Sequence, residues 1–380
     1  MKILLISMPS IHVIRWIENI KDQNWELYWF DILDRGKLKT NLEITQYTNW
    51  KKRKLPYIKG EYFLSKKTPD FYQKIKYILE ITESEQFELI LNEIDPDVVH
   101  SFEMQECSYP LANILDKEKY RHIPWIYSCW GSDIYYYRNL KSHKREIIDV
   151  LKRINYLHTD NNRDQNIARE LGFRGKTFGV YPGGGGYQIP SKEVFYNPKR
   201  NIILVKGYQH TFGRGLVVVK ALEEILSKIL ESGFQVTIFA AHPTVIDYIE
   251  EKSLPFKTYS RHALNHIDVL NIMQKTSIYI GNSVSDGIPN TLIEAIVNGA
   301  FPIQSNPGGA SEEIIENGKN GLLIDDADSI ATVESLIRKV LDDKELISMA
   351  PSINYYLSKS RFDYNLVKKQ IIYSYNKILD

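Results

Sequence analysis

Short apolar runs alternate with amphipathic helical stretches along most of the chain. The alternation breaks once, at four consecutive glycines, Gly183 to Gly186. A short apolar run followed by a stretch of 3.6-residue period marks a βαβ unit. Repeated units force a parallel sheet with helices on both faces. Before the glycines, "KILLIS", "WELYWFDI", "DPDVVHSF", "IPWIYSCW", "YLHTD" and "KTFGVYP" read as strands, and "IRWIENI" as the first helix. After them the pattern restarts, with "NIILVKGYQ", "QVTIFAA", "FKTYS", "IYIGNS", "AFPIQS" and "NGLLI" as strands. "LVVVKALEEILSKIL", "TVIDYIEE" and "HIDVLNIMQKT" read as helices, and the chain from Ser329 onward reads mostly helical. Four glycines in a row hold no rigid element and suit a hinge or a close backbone approach. At 380 residues the chain is too long for one ordinary core and right for two. The expected fold class is therefore α/β, with two Rossmann-like doubly wound domains facing across a cleft. Residues 1–185 form the first domain and 186–360 the second, and ligands are expected at the carboxyl ends of the strands.

Charge and cysteine content exclude several classes. Formal net charge is +1, so no nucleic-acid partner is expected. Two cysteines, Cys107 and Cys129, exclude a disulfide scaffold and suit a reducing cytoplasm. The start, "MKILLISMPSIHVIRW", is apolar too briefly for a signal peptide or a membrane span. Local charge is less even. Arg35 to Lys76 carries twelve Lys and Arg against three acids, about +9. Tyr47, Trp50, Tyr57, Tyr62, Phe63, Phe71 and Tyr72 are interleaved. Residues 35–76 thus suit the headgroup level of an anionic membrane, which would make the protein peripheral on its inner face. An ordinary solvated loop and helix face is the other reading.

The densest chemistry lies in "SDGIPNTLIEAIVNG", Ser285 to Gly299. "IYIGNS" brings the chain to a strand end, and the loop then turns into a helix. Pro289 sits where a helix tolerates proline, Asn290 or Thr291 could cap, and Gly299 ends the helix. Free N–H groups and the dipole make that helix start an anion site. Leu292, Ile293, Ala295, Ile296 and Val297 read as core; Asn290, Thr291, Glu294 and Asn298 share a polar face. Asp286 and Glu294 flank the anion site. Carboxylates repel phosphate, but they accept from sugar hydroxyls. From spacing alone, a turn cap at Asp286 and a solvated Glu294 explain the pair equally well.

This stretch resembles the retaining glycosyltransferases of family 4 (glycosyl transferases group 1), which have the GT-B fold. They carry Glu, seven residues and Glu around a "LLEAMA-G-PV" helix and strand. The resemblance runs in order through "IILVKGYQHTFGRGL", "IYIGNS", "DGIPNTLIEA", "SNPGGASEEI" and "NGLLI", and more weakly through "DPDVVHS" and "WGSD". It implies Glu294 on the donor ribose and Asp286 on the donor sugar. The backbone of Gly287, Ile288, Pro289, Asn290 and Thr291 would hold phosphate and sugar. Asp286 is one methylene shorter than the family's Glu, so the loop must come nearer or the sugar sit differently. Lys206 and Arg214 fall at the family's diphosphate cations, with Arg214 in the place of the family Lys. They would offset charge on the leaving group. Arg261, in "TYSRHAL", falls at the nucleotide-base loop. The C-terminal helix, residues 361–380 with "FDYNLVKKQIIYSYNKIL" at 362–379, would cross back onto the first domain.

The first domain should hold the acceptor. Ser10 and His12 occupy the family's glycine-rich loop without its glycines. Trp130 stands where relatives carry a sugar-contacting His, which leaves Asp133 as the polar group there. His100 and Glu103, in "VVHSFEMQE", are read as ending the neighbouring strand toward the cleft. Asp95–Asp97 precedes its strand and reads as a turn, and residues 325–328 read as a loop or cap cluster. No metal-ligand spacing occurs, so neither metal nor cofactor is expected. The expected activity moves a sugar from a nucleotide-sugar, a UDP-sugar first, to a glycan or lipid-linked saccharide in surface polysaccharide synthesis. A nucleotide-sugar 2-epimerase-like enzyme on the same fold and a non-catalytic nucleotide-sugar-binding module are the alternatives.

Overall fold

A computed structural model describes residues 1–197 and 199–379. The side chains of Asp70 and Lys74, two charges of the basic segment, lie outside the described residues. Two sheets form, and every pairing in both is parallel. The first contains β1 (Lys2–Ser7), β2 (Glu26–Asp31), β3 (Thr45–Tyr47), β4 (Val98–Phe102), β5 (Trp125–Ser128), β6 (Tyr156–Thr159) and β7 (Lys176–Val180). Its order is β3-β2-β1-β4-β5-β6-β7. The second contains β8 (Ile202–Lys206), β9 (Gln235–Ala241), β10 (Lys257–Ser260), β11 (Thr276–Gly281), β12 (Phe301–Ser305) and β13 (Leu322–Ile324), in the order β10-β9-β8-β11-β12-β13.

Both orders reverse direction once, between β1 and β4 and between β8 and β11. At such a switch point neighbouring loops part and leave a crevice at the strands' carboxyl ends. The inner strands read as unbroken apolar runs because both faces are covered. In β1, Leu4 and Ile6 pack with Phe87, Ile90 and Val150, whereas Ile3 and Leu5 pack on the other face with Trp16 and Tyr375.

Two local expectations need correction. β3 was not foreseen: it is a three-residue edge strand without an apolar run. The stretch read as one helix after β8 is two, Gly215–Glu224 and Leu226–Glu231, because Ile225 leaves helical geometry at φ −120°. The glycine run is a close approach. A Cβ on Gly185 (φ +77°) would lie 2.2 Å from Asn19 Nδ2, and one on Gly186 2.5 Å from Tyr364 Cα.

The last helix, Tyr364–Leu379, returns to the first domain and places Val367, Ile371 and Tyr375 in its core. The crossing is pinned where Tyr187 N donates to Phe362 O (2.7 Å) and Tyr364 N to Tyr187 O (2.9 Å). Beneath it runs a buried polar relay. Trp16 Nε1 donates to Tyr375 Oη, which bonds His100 Nδ1. His100 Nε2 meets Ser128 Oγ, Ser128 Oγ meets His158 Nδ1, and His158 Nε2 donates to Tyr181 O. One direction of donation satisfies every member with both imidazoles neutral. Burial drives His100 well below its usual range and His158 to about 4. His100 therefore does not face the cleft as expected. It is the third residue of β4, and the pleat turns it toward the returning helix. His100→Ala should cost about 2–4 kcal/mol of stability, because Tyr375 and Ser128 lose a partner. The wild type should lose stability as pH falls from about 6.5 toward 4, where the unfolded chain takes protons the folded histidines refuse. Urea unfolding at pH 7.5 and 5 should show both effects, with a smaller acid loss in the variant.

Candidate functional site

β8 delivers Lys206 and β11 delivers Gly281 to the second switch point; residues 282–289 then lead into the helix Asn290–Val297. Pro289 is the N-cap, and no side chain bonds the first-turn amides. Asn290 and Thr291, expected as caps, are helical residues tied elsewhere. Asn290 Oδ1 accepts from Tyr187 Oη (2.6 Å) and Thr291 Oγ1 from Tyr279 Oη (2.9 Å). The helix start is left open to the cleft.

Two chambers of about 270 Å³ each adjoin there. One lies at the helix start, with His12, Gly131, Asp160 and Gly183 facing Ile288, Asn290 and Thr291. The other lies over the ends of β8, β11 and β12, walled by Tyr208, Phe212, Asn282 and Gln304. Trp130, Lys206, Asp286 and Pro289 line both. Lys206 has no ion-pair partner among the described residues and lies 5.8 Å from the Tyr208 ring centre. Ile288 contributes backbone only, since its side chain is in the core.

Glu294 is 4% exposed, not solvated. Its Oε1 accepts from both Arg15 Nη atoms at 3.1 Å and from His266 Nε2 at 2.8 Å. Burial opposes its charge, but His266 and Arg15 outweigh it and hold the carboxyl below its usual range. Arg15 comes from the first helix, Ile11–Ile20, so the domains meet at this carboxylate. Neither Arg15 nor His266 was found from sequence. Arg15 looks like any cation on a helix's polar stripe, and His266 like a helix-start residue beside its cap, Asn265.

Asp286 lies at the junction of the chambers. Burial pushes its carboxyl up, and nearby Lys206 partly offsets this. Its Oδ1 accepts from Gly287 N at 2.9 Å, and its carbonyl from Arg163 Nη2 at 2.9 Å. Close glycines let the domains meet here: a Cβ on Gly131 would lie 2.7 Å from Asp286 Oδ1, and one on Gly287 2.6 Å from Asp160 Oδ1. Asp160, also missed from sequence, ends "YLHTD". Burial, then Asp164 and Asp286, raise its carboxyl to about 7. The folded protein thus holds this proton more tightly than the unfolded chain does. Stability falls as pH rises from about 4 to about 7 and is flat above. Asp160→Asn should gain on the wild type across that window, reaching about 1–2 kcal/mol at pH 8. Urea unfolding at pH 5 and 8 checks it; a constant difference would refute the protonation.

His12 lies in the first chamber, held near 4 by burial and by Arg15. Because Asn290 Oδ1 faces Tyr187 Oη, its Nδ2 donates to His12 Nδ1 (3.2 Å). That leaves His12 Nε2–H as a neutral donor. Ser10 caps the first helix, accepting from Val13 N.

Other expected site residues line neither chamber. Arg214 pairs with Asp328, and its Nη1 donates to the carbonyls of His210, Thr211 and Gly213. Arg261 is exposed, 5.2 Å from the Tyr208 ring centre. Glu103 accepts from the amides of Gln105, Glu106 and Cys107 and caps its own turn at φ +77°. Asp133 is buried and accepts from Met104 N, Trp130 N and Tyr127 Oη. It shapes the 130–133 turn without entering the cleft.

Two doubly wound domains that meet at an uncapped helix start form a glycosyltransferase of the GT-B fold. Residues 217–353 match the family model "Glycosyl transferases group 1", and residues 2–161 match "Glycosyl transferase 4-like". The chain belongs to the group 1 glycosyltransferases. Similar solved structures include sucrose-phosphate synthase from Thermosynechococcus elongatus, 14% identical, covering 100% of this chain and 99% of that one, TM-score 0.73. Anabaena Alr3699/HepE in complex with UDP and glucose is 15% identical over 99% of this chain and 100% of that one, TM-score 0.68. A glycosyltransferase from Rickettsia africae is 16% identical over 100% and 98%, TM-score 0.63. Among curated proteins, none matches the chain by sequence.

Proposed function

We propose that the protein transfers a sugar with retained configuration from a nucleotide-sugar, UDP-linked first, to a glycan or lipid-linked saccharide. The observation that carries this is the buried Glu294 one turn inside an uncapped helix whose start faces Lys206 across a polar chamber. The ribose diol donates to Glu294 after displacing Arg15 and His266. The diphosphate sits against the helix start and Lys206, and Asp286 holds the sugar. The acceptor oxygen forms the new bond to the anomeric carbon as the bond from that carbon to the diphosphate oxygen breaks. The acceptor proton passes to the departing phosphate oxygen on the same face. Lys206 and the helix dipole take the developing charge, so the reading requires no metal. Neutral His12 donates without adding charge. A calorimetric screen of UDP- and GDP-hexoses tests it; a wild-type protein that binds neither nucleotide ends the reading.

The lipid-linked acceptor is favoured by one surface. Tyr57, Ile58, Tyr62, Phe63 and Phe71 are exposed beside Lys52, Lys59, Lys66 and Lys67. Other members of the segment are committed within the domain. Trp50 is buried, Arg53 and Tyr72 bind Glu61, and Lys54 binds Glu85. No described helix is long and apolar enough to cross a membrane. Neutralising Lys59, Lys66 and Lys67 should remove most flotation with anionic vesicles, at about 1 kcal/mol per charge. Equal flotation of variant and wild type would sink the peripheral reading.

A further inference from the structure

Two residues that line the chamber over β8, β11 and β12 each carry a polar atom whose state needs explaining. Gln304 is 1% exposed and Asn282 6% exposed. Each amide spends its nitrogen inside the protein, Gln304 Nε2 on Ser305 Oγ (3.2 Å) and Asn282 Nδ2 on Ala327 O (2.8 Å). Among the described residues neither buried amide oxygen has a partner, and both residues line this chamber. An unmet buried acceptor costs about 1–3 kcal/mol, so two at one cavity call for an occupant that donates. Lys206, the cation at hand, enters the chamber from the shared edge.

Gly281 makes the arrangement possible. A Cβ there would lie 2.2 Å from Gln304 Oε1 and 2.8 Å from Tyr279 Oη. Without a side chain at 281, the Gln304 carbonyl lies against the β11 backbone at the end of its strand. The lining also includes the aromatic side chains of Trp130, Tyr208 and Phe212. Acceptor-only amide oxygens beside aromatic faces match a ring that has O–H donors on its edge and C–H bonds on its face. The diphosphate diester of a nucleotide-sugar has no O–H to donate, and an apolar group would leave both oxygens unmet.

We infer that this chamber receives the transferred sugar, and that Gln304 and Asn282 select for a hexose with free hydroxyls against one that lacks them there. The inference rests on the proposed donor reading: the diphosphate at the start of the 290–297 helix leads past Asp286 and Lys206 into this space. A site built to accept from a hydroxyl rejects the analogue lacking it, because its buried acceptors stay unpaired.

The test uses the full-length protein, with UDP, UDP-hexoses and their monodeoxy analogues as calorimetric probes. Wild type should bind at least one monodeoxy analogue about tenfold more weakly than the parent UDP-hexose. Gln304→Met keeps the length and removes the amide; it should reduce that discrimination to under threefold and leave UDP affinity within twofold. Gly281→Ala, which pushes the amide aside without touching it chemically, should do the same and serves if Gln304→Met does not fold. Wild-type and variant proteins with the same deoxy profile overturn the inference even while UDP-hexose binds. A changed acceptor KM with an unchanged deoxy profile also overturns it, by assigning the chamber to the acceptor sugar. Absence of any nucleotide binding in the wild type is the separate failure of the donor reading.

Discussion

Glu294→Ala should weaken nucleotide binding about 30- to 150-fold. A ribose diol donating to one buried carboxylate makes two charge-assisted hydrogen bonds, each worth about 1.5–3 kcal/mol net. Displacing Arg15 and His266 from the same oxygen returns part of that gain, which leaves about 2–3 kcal/mol. Arg15→Ala separates this role from a purely structural one. It removes the competitor, so donor affinity should hold or rise, while thermal stability falls with the loss of a bridge between domains. Calorimetry with UDP reads both. Glu294→Ala binding UDP as the wild type does would move the ribose elsewhere.

The second large effect concerns turnover. Lys206→Met should lower kcat about 10²- to 10³-fold and change nucleotide affinity less than tenfold. Its ammonium faces the chamber without a carboxylate partner at ion-pair distance among the described residues, so its charge is free for the leaving diphosphate. Stabilisation that grows as the bond breaks appears in kcat more than in binding. Arg214→Met is the contrast. Its guanidinium already holds Asp328 and three carbonyls, so its loss should cost stability and change kcat less than threefold. Single-turnover kinetics on both variants decide. Equal losses would mean that Arg214 swings into the site, or that Lys206 has no special place there.

Resemblance to family 4 set Lys206 and Arg214 side by side, and the structure separates them. Lys206 is the last residue of β8, at a strand end that opens on the switch point. Arg214 precedes the Gly215–Glu224 helix, and its side chain is taken by the loop it closes. Glu294 and Asp286 could be placed by the eight-residue offset around the helix start. Their burial could not, because it comes from Arg15, Gly131 and Asp160 of the other domain. His100, Glu103 and Asp133 sat near strand ends in the sequence, and in the fold each one serves a neighbouring backbone or a buried relay.

The sequence alone determined the two parallel sheets, their division around the glycine run and the helix that follows the 282–289 loop. Those follow from periodicity and from local backbone rules, which act over a few residues. Only the tertiary structure decided which polar groups face the cleft. That depends on where the last helix returns and on which domain face meets which loop. Arg15 and Glu294 are 279 positions apart, and no local pattern relates them. The oxygens of Asn282 and Gln304, unmet among the described residues, are likewise a product of how the strand ends pack.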